Sequence, residues 1–247
     1  MFAMRFALIA FLFFHALFAH ASAERLSVVA DEWPPFSGEN LPEQGISIDV
    51  IRTVLARAGY ESSSEILPWG RIMSGAQTGE YDIVGSLFFD PELNSVIAYS
   101  DPFFTTEIRF VRATGSSATY SDLPSLAPYS IAVGIGFLYE DEFDRDESLR
   151  KVDVTTTLQG LRMVASGRVD LTLDSEHVVQ YSIENEDPNL RDRLEFVGPA
   201  IATRNIHMGV SRSLPNYEQI IADFNRALAE MREDGALDAL LKKHIPN

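Results

Sequence analysis

Leu26-Ser27-Val28-Val29-Ala30-Asp31-Glu32-Trp33-Pro34-Pro35-Phe36 decides how this chain is read. Its first five residues are a short β-type run, and Asp31 with the rigid proline pair stops it, so a strand feeds a loop with Trp33 at the strand's carboxyl end. Downstream, Ile46, Val50, Ile51, Val54, Leu55 and Ala58 recur at helical spacing, and Gly59 follows as a stop. Ile66-Leu67 is expected to start the next strand, Arg71 to Gln77 to form a helix, and Tyr81 to Val84 to form a further strand. Strand, helix, strand, helix, strand is the order of an α/β unit with a largely parallel sheet.

A second cycle of the same kind begins near Tyr129, where Ile131-Ala132-Val133 leads into Gly134-Ile135-Gly136. Leu158 to Ser166 reads as a helix closed by Gly167, with hydroxyls at Thr155 to Thr157 able to cap its free amides. Val169 to Leu173 reads as a strand, and Asn216 to Glu233 and Ala236 to Lys243 as two terminal helices parted at Gly235. Thr105 to Thr114 and Ile206 to Ser211 read as extended segments between the two cycles. Ser116 to Ser125, rich in Ser, Thr and Pro, is the most loop-like stretch.

The amino terminus has the layout of a secretory signal: Arg5, an apolar run from Phe6 to Phe18, and the small-residue triplet Ala21-Ser22-Ala23. That run is shorter than the roughly 20 residues a membrane span needs, so cleavage after Ala23 is expected and residues 24–247 are the mature chain. The chain has no Cys, which excludes disulfides, thiolate metal sites and a lipidated Cys. Its net charge of −16 makes nucleic acid and anionic lipid poor partners. The five His (His15, His20, His177, His207, His244) show no metal-ligand spacing. No P-loop or G-x-S-x-G occurs, and Gly134-Ile135-Gly136 lacks the third glycine of a dinucleotide fingerprint. Neither a cofactor nor a metal is expected.

Trp33-Pro34-Pro35-Phe36, Pro68-Trp69, Gly79-Glu80-Tyr81-Asp82 and Tyr99-Ser100-Asp101-Pro102-Phe103, followed by Ile131 to Gly136, Ser166-Gly167-Arg168-Val169-Asp170 and Tyr181, stand in an order that resembles the family 3 extracellular solute-binding proteins. These are the polar-amino-acid class of periplasmic receptors, and the resemblance runs from about Leu26 to Lys243. It implies a two-lobe periplasmic binding protein-like fold of type II, α/β, each lobe a mostly parallel sheet flanked by helices, with two strands crossing between lobes. On that plan residues 24–110 and 206–247 form lobe 1, with the terminal helices in it, and residues 111–205 form lobe 2.

The chain departs from the family's ligand pattern at three places. The stretch that supplies a carboxylate-binding Arg in the resembling receptors is Asp90-Pro91-Glu92-Leu93 here, so a guanidinium fork is missing. The Thr or Ser expected after the second-lobe glycine is Phe137, following Gly136. The position implied for an ammonium-binding Asp is Ser175, with Asp174 beside it, and a one-residue shift along a strand turns a side chain to the other face. Both remain candidates.

What stands in the implied site is largely aromatic. Trp33 and Trp69, the only two Trp, fall where this family contacts ligand, and large aromatics stack on planar or cationic groups. Phe88, Phe89, Phe137 and Tyr139 extend the same surface. Arg71 is the first cation to consider for a ligand acid, and Ser86 offers a hydroxyl after a strand. Gly85 and Gly136 would let a ligand approach the backbone. The resemblance implies a monomeric, non-enzymatic periplasmic receptor that closes on a small solute and presents it to an inner-membrane permease. Two alternatives stand beside it: a sensory or adaptor module, and an enzyme similar to cyclohexadienyl dehydratases with Asp174 as the proton donor.

Overall fold

The computed structural model describes residues 25–245, so the expected signal peptide lies outside the described residues. The elements are β1 (Arg25–Ala30), α1 (Ile46–Ala58), β2 (Glu61–Ile66), α2 (Trp69–Thr78), β3 (Ile83–Phe88), β4 (Ile97–Tyr99), β5 (Phe104–Ala113), β6 (Ser130–Gly134), α3 (Asp141–Arg145), β7 (Arg150–Val154), α4 (Thr157–Ala165), β8 (Leu171–Ser175), α5 (Glu176–Tyr181), β9 (Leu194–Ser211), α6 (Tyr217–Glu233) and α7 (Ala236–His244). One sheet of nine strands runs in the order β2-β1-β3-β9-β5-β8-β6-β7, with β4 also on β9. β1 pairs in parallel with β2 and β3, and β6 with β7 and β8, whereas every pairing of β5 and β9 is antiparallel.

Two sets of cores follow from this order. In the first lobe the α1 stripe Ile46, Ile51 and Leu55 packs with Met208 and Val210 of β9 and Phe224 and Leu228 of α6. Val29, Leu67, Ile72, Tyr81 and Ile97 fill the opposite face of that part of the sheet. The second lobe repeats the plan, with Phe110, Phe143, Leu171 and Leu173 on one face and Val111, Ala132, Leu161 and Val164 on the other. Burial on both faces is what near-continuous apolar strands such as Ile131-Ala132-Val133 are suited to. Val178 of α5 is an exception, since it follows β8 in the chain yet packs into the first-lobe core.

Several boundaries differ from expectation for identifiable reasons. The second strand ends, rather than starts, at Ile66: Glu61-Ser62-Ser63-Ser64-Glu65 lies on the sheet edge, alternates exposed and half-buried, and so needs no apolar run. The third strand covers Ile83–Phe88, not Tyr81 to Val84, because the left-handed Gly79 ends α2 and Tyr81 then folds back under it; a Cβ on Gly75 would lie 2.3 Å from the Tyr81 ring. The eighth strand begins at Leu171, not Val169. Arg150–Val154 forms an edge strand that its polar sequence hides. The helix stops at Gly59 and the cap at Thr156, whose hydroxyl accepts from the Gln159 amide, agree with the sequence reading.

β9 is 18 residues long because Gly198-Pro199 interrupts its pairing without ending it. Phe110 pairs with Val197 and Ile108 with Ala202, so residues 198–201 bulge out opposite Arg109. Gly198 holds φ +70°, and a Cβ there would lie 2.2 Å from the Tyr120 carbonyl oxygen. Gly198→Ala is therefore expected to cost about 2 kcal/mol or more, through left-handed strain and displacement of the Tyr120 backbone. A urea unfolding midpoint equal to that of the parent would contradict this.

Candidate ligand-binding crevice

The registers of β5 and β9 locate a gap between two sets of strand ends. β3 ends at Phe88, paired with Ile206 of β9, and Phe104 of β5 pairs with the same Ile206. β8 ends at Ser175, paired with Ile108, whose β9 partner is Ala202. Because β8 runs opposite to β3, the two ends point toward each other and are parted by Thr105 to Glu107 of one crossing strand and Thr203 to Asn205 of the other. A crevice outside the carboxyl ends of parallel strands is where α/β sheets hold ligands.

The first-lobe wall is aromatic. Trp33 follows β1, and its carbonyl accepts from the Phe36 and Ser37 amides at 2.9 and 3.1 Å, so the loop turns back on itself. Its half-buried ring lies 4.5 Å from the Phe36 ring and stands edge-on to Phe88 at 5.2 Å. Phe88 is half-buried and packs against the cores of both lobes. Ser86 sits at the register shift of β3 with φ +60°, and its buried hydroxyl has no partner among the described residues. Trp69 opens α2 and is exposed; Arg71, two residues on, is also exposed, and its guanidinium lies 4.0 Å from the Glu80 carboxylate. Leu93 lies in a short turn capped by the Asp90 carboxylate.

The second-lobe wall begins where β6 ends. Phe137 folds back over Gly134, where a Cβ would lie 2.6 Å from its ring, and Gly136 holds φ +75° to make the turn. Tyr139 is buried, and its hydroxyl accepts from the Gly134 amide at 2.8 Å. Burial, the nearby Asp174 and, more weakly, Asp144 push that phenol far up. Asp174 is 4% exposed. Its carboxylate accepts from the Thr157 hydroxyl and, at 2.6 Å, from the Ser175 amide. No described cation stands within ion-pair distance of it, and burial pushes its pKa up to about 6 against those two hydrogen bonds. The Ser175 hydroxyl points elsewhere, sharing a 2.7 Å bond with Thr106, which also bonds His177 at 3.0 Å. Asp174 and Ser175 thus face opposite ways, as strand alternation requires.

Five large apolar side chains are exposed among the described residues: Trp69, Phe89, Ile135, Phe137 and Leu138. Each lies just past the carboxyl end of a strand, the first two after β2 and β3 in the first lobe and the other three after β6 in the second, one candidate lip on each lobe. Arg204, on β9 between the two levels of strand ends, was not apparent from sequence, because Gly198-Pro199 reads as the end of any strand through residue 204. Its guanidinium lies 5.0 Å from the Phe88 ring centre. Among the described residues no group of His, Asp and Glu is placed to hold a metal ion. No described helix is long and apolar enough to cross a membrane.

Comparison with known proteins gives a consistent picture. The family described as bacterial extracellular solute-binding proteins, family 3, matches residues 26–247. An L-cystine-binding protein of Escherichia coli is 24% identical over 220 residues, 85% of this chain and 78% of that protein. An arginine-binding extracellular protein of Bacillus subtilis is 22% identical over 219 residues, 86% of this chain and 82% of that one. Among solved structures, the P235GK mutant of ArgBP from T. maritima superimposes with a TM-score of 0.73 at 19% identity, covering 90% of this chain and 96% of that one. A histidine kinase sensor domain with similarity to periplasmic binding proteins gives a TM-score of 0.74 at 19% identity, over 91% and 97%.

Proposed function

Since the chain belongs to the bacterial extracellular solute-binding proteins, family 3, we propose that it captures a small solute carrying an amine and an apolar body, by closing its two lobes over the crevice. The observation that carries this reading is the concentration of exposed Trp69, Phe89, Ile135, Phe137 and Leu138 on the two lips. Apolar side chains gathered at one place mark a surface that is covered in use, and lips on opposite lobes are covered together when the lobes meet. Closure is favoured by a ligand that touches both walls, because its differential affinity for the closed form sets the shift. Asp174 adds the amine: a buried carboxylate without a cation is costly, and an ammonium group would offset that cost.

In this reading residues 24–110 and 206–247 move as one lobe and residues 111–205 as the other, with β5 and β9 as the pivot. The chain is exported with cleavage after Ala23, works in the periplasm as a monomer, and delivers its solute to an inner-membrane permease. We read it as a binding protein and not an enzyme, in keeping with relatives named for what they bind.

Thermal unfolding of residues 24–247 against amino acids, aromatic amines, polyamines and quaternary ammonium compounds tests this. A ligand at about a hundred times its dissociation constant should add roughly 2.7 kcal/mol. Trp33→Ala and Trp69→Ala should each weaken the response to that compound. A library of amine-bearing solutes that leaves the unfolding temperature unchanged would remove the reading.

A further inference from the structure

We propose that Arg204 is the acid anchor of the crevice, so that the captured solute carries a carboxylate as well as an amine, received by a crossing strand rather than by the segment around Leu93. This inference rests on the solute-capture reading and narrows its ligand class.

The first support is position. At the level of the gap, Thr105 pairs with Asn205, Thr106 with Arg204 and Glu107 with Thr203. Strand alternation puts Thr106 and Arg204 on the face shared with buried Ile108 and Ile206, and the other four on the opposite face. On the inner face Thr106 is already engaged by Ser175 and His177. Arg204 is thus the one polar side chain there whose hydrogen-bonding capacity is free: among the described residues none gives its guanidinium a hydrogen bond or an ion pair.

The second support is its setting. The guanidinium lies on Phe88, and Phe88 is braced edge-on by Trp33, so the fork rests on a fixed aromatic platform that spans both lobe cores. Stacking occupies the face of a guanidinium and leaves its in-plane N–H groups for a planar oxyanion. One acid that feels its charge, Asp144, accepts from the Tyr139 amide at 2.9 Å. The field of Arg204 still reaches that carboxyl and lowers its pKa, although burial is the larger effect and raises it. Arg204 is a half-buried residue whose guanidinium has no hydrogen-bond or ion-pair partner among the described residues, and a bidentate carboxylate is the group whose geometry fits it.

Titration calorimetry of residues 24–247 with matched probes decides the matter: L-arginine and agmatine, L-lysine and cadaverine, L-phenylalanine and phenethylamine. For the pair that binds, the parent should take the amino acid at least about tenfold more tightly than its decarboxylated amine, as expected for a hydrogen bond to a charged group. Arg204→Met should close that gap while leaving amine affinity in place, and Arg204→Lys should restore part of it, giving charge without the fork. Far-ultraviolet circular dichroism confirms that the variants are folded. Equal binding of acid and amine by the parent, or a gap that survives in Arg204→Met, overturns the assignment but leaves solute capture standing. Failure of every probe to bind the parent overturns the assignment, and solute capture itself falls only if the wider library of amine-bearing solutes also leaves the unfolding temperature unchanged.

Discussion

Asp174→Asn is expected to make the protein more stable at pH 7.5 and at the same time to weaken amine binding by roughly a hundredfold or more. Both effects have one origin. The Asp174 carboxyl has a pKa of about 6 in the fold, against 3.8 for the ordinary group, because burial penalises its charged form. Below pH 3.8 it is protonated in the folded and unfolded chain alike and costs nothing. As pH rises to about 6 the unfolded chain loses its proton first, and the stability tied to this group declines, remaining low above that range. The difference amounts to about 3 kcal/mol. Asparagine keeps both hydrogen bonds, since its carbonyl accepts from the Ser175 amide and the Thr157 hydroxyl turns to accept from its NH₂. Urea unfolding at pH 4 and pH 7.5 should therefore show parent and variant close together at the lower value and the variant ahead at the higher. A variant that is weaker at both would show that the carboxylate is stabilised by something other than these two donors. Binding of an amine should tighten between pH 5 and 7 in the parent and lose that dependence in the variant.

Phe36→Ala is expected to cost about 3–5 kcal/mol, the largest loss among single truncations near the crevice. Phe36 is fully buried, and its ring lies 4.5 Å from Trp33, 5.5 Å from Phe104 and 6.0 Å from His177. Its carbonyl also accepts from the Ser47 amide at 2.8 Å, tying the loop to the start of α1. Removing the ring leaves a cavity beneath the first-lobe wall and beside the pivot at once. For a chain of this size the melting temperature should fall by roughly 10 °C. Phe36→Leu, which keeps most of the volume, should cost less than about 1.5 kcal/mol. Ligand affinity should follow the same order, because Trp33 loses its backing in the alanine variant. Equal stability of the two variants would mean that the loop collapses into the space and that Phe36 sets nothing about Trp33.

The elements that could be read from sequence were those with an apolar period and a glycine to end it. α1 was legible to the residue, because its buried stripe faces a single core and Gly59 takes the left-handed conformation. Strands at the sheet edges were not: Glu61–Ile66 and Arg150–Val154 carry their polar residues outward and have little apolar signal to detect. Site residues follow the same logic. Trp33, Phe88 and Phe137 were named as candidates through the resemblance, and each lies at or shortly past the end of an apolar strand. Asp174 and Ser175 could be named together but not told apart, since only the backbone register shows which of them faces Thr157 and which faces Thr106. Arg71 was named as the first cation to consider for a ligand acid; its exposed guanidinium lies 4.0 Å from Glu80. Arg204 was hidden because a bulge, invisible in the sequence, lets one strand continue through a Gly-Pro pair.

The polar edge strands also bear on what happens before the molecule is compact. A sheet of nine strands that never closes on itself leaves two rows of unpaired backbone groups, along β2 and β7. Each is a template on which another newly made chain could add a strand. Glu61 and Glu65 are exposed on one and Arg150 and Asp153 on the other, so an incoming copy of the same edge meets charge, in the first case like charge. With no cysteine to lock a nascent fold covalently, charged edges of this kind work against edge-to-edge pairing of half-folded copies.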